Sequence, residues 1–217
     1  MGSHAKLFLF MTFLALTALS CQAASKLVVS GDLPMEDDFS SPGWGVAADE
    51  NSSVEYADET LQMILNTKNW FVWSTPNDKD YENVHIEVTA INNDSDPTTS
   101  FGIMCHQQVI DDSFYYFAIT PAGQYAIAEA SLAASDLFLT NEDKWEYSDF
   151  IAHNADSYRI GADCGNGTLT LYVDGQQVDS VQDDTYTRGG VALFTWSGEE
   201  STTAHISFDD FLMTELP

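Results

Sequence analysis

Along several short stretches of this chain, apolar residues occupy every second position. Val84, Ile86, Val88 and Ala90 alternate with His85, Glu87 and Thr89. The pattern returns at Tyr158, Ile160, Ala162 and Cys164, at Leu169, Leu171 and Val173, and at Ala204, Ile206 and Phe208. A period of two places successive side chains on opposite faces of an extended backbone, so each stretch predicts a strand with one face in a core. No comparable stretch carries the 3.6-residue period of a long amphipathic helix.

Turn residues punctuate these runs. Gly165-Asn166-Gly167 and Asp174-Gly175 separate consecutive apolar runs, Pro121-Ala122-Gly123 follows the run from Phe114, and Ser197-Gly198 follows Val191 to Trp196. Gly and Asn tolerate positive φ, which lets antiparallel strands reverse tightly. With further runs near Val54, Leu61, Trp70, Phe101 and Trp145, the count comes to about 12 strands spaced roughly 8–15 residues apart, the pattern of an all-β sandwich or jelly roll.

The N-terminal segment reads differently. Lys6 precedes an apolar run from Leu7 to Leu19 that ends at Ser20 and Cys21. At about 13 residues the run is too short to span a bilayer and predicts an export signal over residues 1–21. Two cleavage readings stand. Ala18-Leu19-Ser20-Cys21 resembles a bacterial lipobox, which would make Cys21 the lipidated residue, while Ala23 or Ala24 suits an ordinary signal peptidase. Residues 22–34 show no periodicity and are expected to form a linker, leaving residues 35–217 as one domain.

Residues 1–21 contain one Lys and no Asp or Glu, so the exported chain sets six basic residues against 34 acidic ones, a net charge of −28. Such a surface repels nucleic acid and anionic membrane, leaving a lipid anchor as the expected membrane contact. The acidity suits a solvated surface, high salt, or a store of calcium ligands. At 44% hydrophobic and 12% aromatic residues, the chain can still bury a substantial core.

Cys105 and Cys164 each end a predicted strand, and an exported chain meets oxidising conditions, so a disulfide is expected, with two unpaired buried thiols as the alternative.

The motifs Phe101-Gly102-Ile103-Met104-Cys105, Phe114-Tyr115-Tyr116-Phe117, Cys164-Gly165-Asn166-Gly167, Leu169 to Gly175, Gly189-Gly190-Val191-Ala192-Leu193 and Phe208-Asp209-Asp210-Phe211 follow in this order. In this order they resemble the concanavalin A-like, laminin-G-like superfamily, near the bacterial 3-keto-disaccharide hydrolase family, from about residue 36 to 217. The resemblance implies a jelly-roll sandwich of two antiparallel sheets. Superfamily members include lectins, adhesion modules, glycosidases and accessory domains, so it does not choose among activities.

The candidate chemistry is sparse. The Glu-x-Asp-x-Glu strand of the superfamily's glucanases is absent. Glu142, Asp143 and Glu146 cluster around Trp145 in a predicted loop, and His106 follows Cys105 where relatives carry a basic residue; His106, Glu142 and Glu146 are weak catalytic candidates beside a structural reading. Sugar binding needs aromatic faces that stack on pyranose rings, with polar groups beside them. Trp70, Trp73, Tyr115, Tyr125, Trp145 and Trp196 are the candidates, although most such rings belong in cores. Tyr115 and Tyr116 must face opposite sides of their strand, as must Trp70 and Trp73. Asp37 and Asp38 in the first strand and Asp209 and Asp210 in the last are offered as calcium ligands, Asp38 and Asp209 foremost; unliganded surface carboxylates are the alternative. The sequence therefore predicts an exported, cell-surface, periplasmic or secreted module that binds a glycan or surface polysaccharide without catalysis. The alternatives are a carbohydrate hydrolase of the 3-keto-disaccharide type and a structural cell-surface interaction protein.

Overall fold

The computed structural model describes residues 32–110, 112–131, 135–141, 144–199 and 201–217. Among these residues there are only strands, turns and loops, and no helix is long and apolar enough to cross a membrane. Cys21, Glu142 and Asp143 lie outside the described residues.

The strands form two antiparallel sheets. The larger contains β1 (Met35–Asp37), β2 (Ala47–Ala48), β3 (Ser52–Ala57), β4 (Thr60–Leu65), β6 (Val84–Asn92), β12 (Ser157–Gly165), β13 (Thr168–Val173), β14 (Gln176–Gln182) and β16 (Ala204–Glu215). Its order is β14-β13-β12-β6-β16-β4-β3-β2, with β1 along the second half of β16. The smaller sheet contains β5 (Phe71–Ser74), β7 (Ser100–Gln107), β8 (Ser113–Ile119), β9 (Gln124–Ser131), β10 (Leu137–Phe138), β11 (Glu146–Tyr147) and β15 (Gly190–Trp196), in the order β10-β9-β8-β7-β15-β5, with β11 also on β9. The total among the described residues is 16 strands rather than about 12. The surplus comes from pieces such as β2, β10 and β11, each of two residues, which are too short to carry a hydrophobic period.

The period-two pattern places the core. Ile86, Val88, Ile160, Ala162, Leu171, Ile206 and Phe208 of the larger sheet meet Phe101, Ile103, Phe117, Ile127 and Leu193 of the smaller one, all buried. Each of these side chains other than Ala162 contributes roughly 1.5–3 kcal/mol by burial. In β16 the register shifts between Asp209 and Leu212, and Asp210 adopts φ 50°. This bulge resets the alternation so that both Phe208 and Phe211 face inward. The hairpin between β13 and β14 turns on Asp174 (φ 50°) and Gly175 (φ 76°), two consecutive left-handed residues whose twist matches that of the flanking strands.

Cys105 of β7 and Cys164 of β12 form the disulfide, with Cα atoms 6.6 Å apart, and it joins the two sheets through the core. Polar ties close one open edge of the sandwich. Tyr125 Oη donates to Asp179 Oδ2 at 3.1 Å, Tyr186 Oη donates to Glu129 Oε1 at 2.7 Å, and Tyr115 Oη donates to Asp183.

Candidate functional site

The smaller sheet carries apolar side chains on its outer face as well as its inner one. All seven residues of β8 are buried, so the strand lacks a wet side. Its inward residues Tyr115, Phe117 and Ile119 join the main core, and its outward residues Phe114, Tyr116 and Ala118 join a second apolar cluster with Met104, Ala126, Ala128, Ala130, Ala192 and Phe194. Phe71, Phe138 and Trp145 pack against that cluster from its margins.

The small outward residues explain how the rings meet. Alanines on β8, β9 and β15 leave the sheet surface low, and Gly102 on β7 leaves it bare; a Cβ there would lie 1.9 Å from the Phe117 carbonyl oxygen, so only glycine permits this approach of β7 to β8. Over this floor Phe71, from the edge strand β5, stacks on Phe114 with centroids 6.2 Å apart and an interplanar angle of 12°. Phe194 lies 5.3 Å from Phe71 and 5.8 Å from Tyr116, and Phe138 meets Trp145 edge-on at 6.1 Å. Offset and edge-on pairs at such distances fix ring orientations.

Between these rings remains a cavity of about 250 Å³. Aromatic side chains from β5, β8, β10 and β15, together with Trp145, form its walls, and Ser100, Ser131 and Asp136 supply polar groups. The Tyr116 hydroxyl donates to Asp136 Oδ2 at 3.0 Å. Partial burial pushes the Asp136 carboxyl above the ordinary aspartate range, and the Tyr116 hydrogen bond opposes part of that rise. The residue as a whole remains exposed, so the carboxyl sits at the rim rather than in a sealed interior. Burial, reinforced by the Asp136 charge and hydrogen bond, keeps the Tyr116 hydroxyl protonated far above neutral pH. The indole N–H groups of Trp145 and Trp196 have no hydrogen-bond partner among the described residues and remain available as donors.

Of the six aromatics expected to touch a ligand, Trp145 and Trp196 line this cavity. Trp73, 38% exposed, extends the aromatic surface past it on the outer side of β5, 5.6 Å from Phe71. Trp70 precedes β5 and turns its indole N–H to Ser52 Oγ at 3.2 Å. Tyr115 and Tyr125 lie in the main core: Tyr115 is fully buried, Tyr125 is 8% exposed, and their hydroxyls tie the sheets together as described. Neither has a free face on which to stack a sugar. Burial and the Asp179 carboxylate push the Tyr125 hydroxyl up to about 12. Tyr116, the neighbour of Tyr115, faces the cavity instead.

His106 lines a polar hollow with Glu82, Asp183 and Tyr186. Its ring is buried, with Nδ1 2.8 Å from the Tyr186 carbonyl oxygen and Nε2 2.9 Å from that of Glu82. Burial pushes its pKa below the ordinary histidine value, with the two carbonyls opposing. The ring bridges the segments before β6 and before β15. Glu146 lies in β11 opposite Tyr125 and does not line the cavity.

The acidic strands do pair, with Asp37 opposite Phe211. Their carboxylates accept local hydrogen bonds: Asp37 from Phe39 N at 2.8 Å and Trp44 Nε1 at 3.1 Å, Asp38 from Ser40 N at 3.0 Å, and Asp209 from Asp210 N at 2.7 Å. Among the described residues, three or more metal-ligating atoms converge only at Cys105, His106 and Cys164, where both sulfurs are in the disulfide. Asp38 and Asp209 are not members of that cluster.

Phe71, Phe114, Tyr116, Asp136, Phe138 and Phe194 were not singled out by sequence. The signal that points to five of them is the aromatic content at outward positions of β5, β8, β10 and β15, strands that would otherwise alternate with polar residues.

No protein-family model matches the chain, and no curated protein matches it. Among solved structures, a carbohydrate-binding module from Bacillus subtilis superposes with TM-score 0.62 at 13% identity, covering 80% of this chain and 96% of its own. The β-glucanase of Bacillus licheniformis gives 0.60 at 13% identity over 84% and 98%. A Bacillus subtilis protein with a galectin-like fold gives 0.61 at 9% identity over 83% and 94%. The fold is thus the jelly-roll sandwich of two antiparallel sheets seen in these solved structures, which include a carbohydrate-binding module and a β-glucanase.

Proposed function

We propose that this chain is an extracytoplasmic, non-catalytic carbohydrate-binding module whose ligand stacks in the aromatic cavity on the outer face of the smaller sheet. The observation that carries the reading is the convergence of rings from separate strands around an open cavity with free indole donors and a rim carboxyl. Ring faces suit the C–H surfaces of a pyranose, and the polar groups suit its hydroxyls. The structural neighbours whose names refer to carbohydrate are consistent with it. Catalysis is disfavoured because Asp136 is the one carboxyl lining the cavity among the described residues, whereas glycoside hydrolysis uses two, roughly 5–9.5 Å apart. Export is assigned to residues 1–21, anchoring to lipid on Cys21 and spacing to residues 22–34.

A glycan and polysaccharide array probed with the purified protein, in calcium and in EDTA, tests the proposal. Saturable binding that Trp145→Ala or Trp196→Ala weakens supports it, and binding lost in EDTA adds a structural cation. Absence of binding in either buffer overturns it. Release of a shortened or keto-sugar product from any array hit replaces it with the hydrolase reading. Cys21→Ser, compared with the parent by fractionation, is expected to move the protein from the membrane to the soluble fraction.

A further inference from the structure

The polar network His85, Glu87, Asp163, Arg159 and Tyr172 on the outer face of the larger sheet satisfies itself internally. The hollow beside His106 holds a ring whose nitrogens are both engaged. The aromatic cavity is different, because its charge is one-sided and its donors are unspent.

We propose, building on the carbohydrate reading above, that the cavity selects uncharged sugar residues and rejects uronic and sialic acids, with Asp136 as the specificity-determining residue. No Lys, Arg or His lines the cavity among the described residues, so a ligand carboxylate would find no counter-ion there. It would instead meet Asp136, whose Oδ2 is held by the Tyr116 hydroxyl at 3.0 Å. That bond ties the carboxyl to a ring of the cavity wall. At contact range two carboxylates repel even at a partly solvated rim, and the neighbouring apolar rings leave less water to screen them than at an open surface. An uncharged sugar has the matching pattern: hydroxyl donors for Asp136, hydroxyl acceptors for the Trp145 and Trp196 N–H groups, and C–H faces for the rings. The net charge of −27 over the whole chain acts in the same direction but is screened at long range, over about 8 Å in physiological salt, so the selectivity at contact rests on Asp136.

The test is an array pairing neutral glycans with uronate- and sialate-bearing counterparts, probed at 0.15 M salt with the full chain and with its Asp136→Asn variant, whose fold is checked by circular dichroism. The ¹⁵N-labelled indole N–H resonances of Trp145 and Trp196 report whether a hit occupies the cavity. The expected result is hits confined to neutral glycans, shifts of those two resonances, and for Asp136→Asn a gain of at least about fivefold in affinity for acidic relative to neutral glycans. Equal binding of both classes by the parent, or a ratio unchanged by Asp136→Asn, overturns this inference while leaving the carbohydrate reading in place. No hit of either class, or hits that leave both indoles unshifted, overturns the site assignment and this inference with it.

Discussion

Opening the disulfide should cost this sandwich about 4 kcal/mol, and the figure follows from topology. Cys105 and Cys164 are 59 residues apart, and the chain between them passes through β8 and β9 of the smaller sheet before entering β12 of the larger. Cross-linking ends separated by a loop of that length removes roughly 14 cal/mol/K from the unfolded ensemble in the chain-entropy account, or about 4 kcal/mol at room temperature. For a domain of this size each kcal/mol shifts Tm by about 2–4 °C, so reduction should lower Tm by roughly 8–16 °C. Both sulfurs are buried, so the bond must be reduced under denaturing conditions and the protein refolded with reductant. A Cys21→Ser background leaves a single thiol pair, since the chain has three cysteines. Guanidinium unfolding of the oxidised and reduced forms then compares identical side chains, which a Cys→Ala pair would not, because it also empties core volume. A difference below about 1 kcal/mol would refute the loop-entropy argument for this protein.

Three further outcomes are expected. Trp145→Ala and Trp196→Ala should each weaken glycan binding by about 0.5–1.5 kcal/mol, Trp145→Ala with some loss of Tm because its ring also packs on Phe138, whereas Tyr115→Phe should lower Tm and leave binding intact; unchanged binding by both tryptophan variants in calorimetry and titration would place the ligand elsewhere. Gly102→Ala should destabilise the fold by about 1–3 kcal/mol or more, since the added methyl meets the Phe117 carbonyl, and a variant with parental Tm would contradict that contact. Burial raises the Glu87 pKa, but hydrogen bonds and charge from Arg159 and His85 outweigh it and hold the carboxyl below its usual 4.5. Its folded pKa is the lower one, so its contribution is fully present above pH 4.5 and is lost as pH falls through the folded value. Glu87→Gln should flatten that acid limb of the stability profile, as measured by denaturant titration at a series of pH values.

The aromatic pairs show where sequence reasoning stops. Alternation separated Tyr115 from Tyr116 correctly as residues on opposite faces, yet the choice of Tyr115 as the ligand contact depended on knowing which face is interior. In Ser113–Ile119 both faces are apolar, so the hydrophobic pattern has no polar side to mark the outside. Asp136 was illegible for a different reason: it lies in an irregular segment before β10, and only the Tyr116 hydrogen bond gives it a place. His106 carried a chemical suggestion by residue type, which its two carbonyl partners convert into a structural role.

What the amino-acid order by itself determined is local: strand period, tight turns at Gly and Asn, the export-like N-terminus, the acidity, and two cysteines at strand ends. Those features depend on spacings of a few residues, where backbone geometry leaves little freedom. The tertiary structure decided the cavity, because it is assembled from β5, β8, β10 and β15, which neighbour one another only through the sheet order. It likewise set the surroundings of the acidic strands, which pair as expected and whose carboxylates accept hydrogen bonds from nearby N–H groups. Convergence of distant side chains is set by sheet order, register and the small residues beneath them, and no short-range pattern in a single chain encodes that combination.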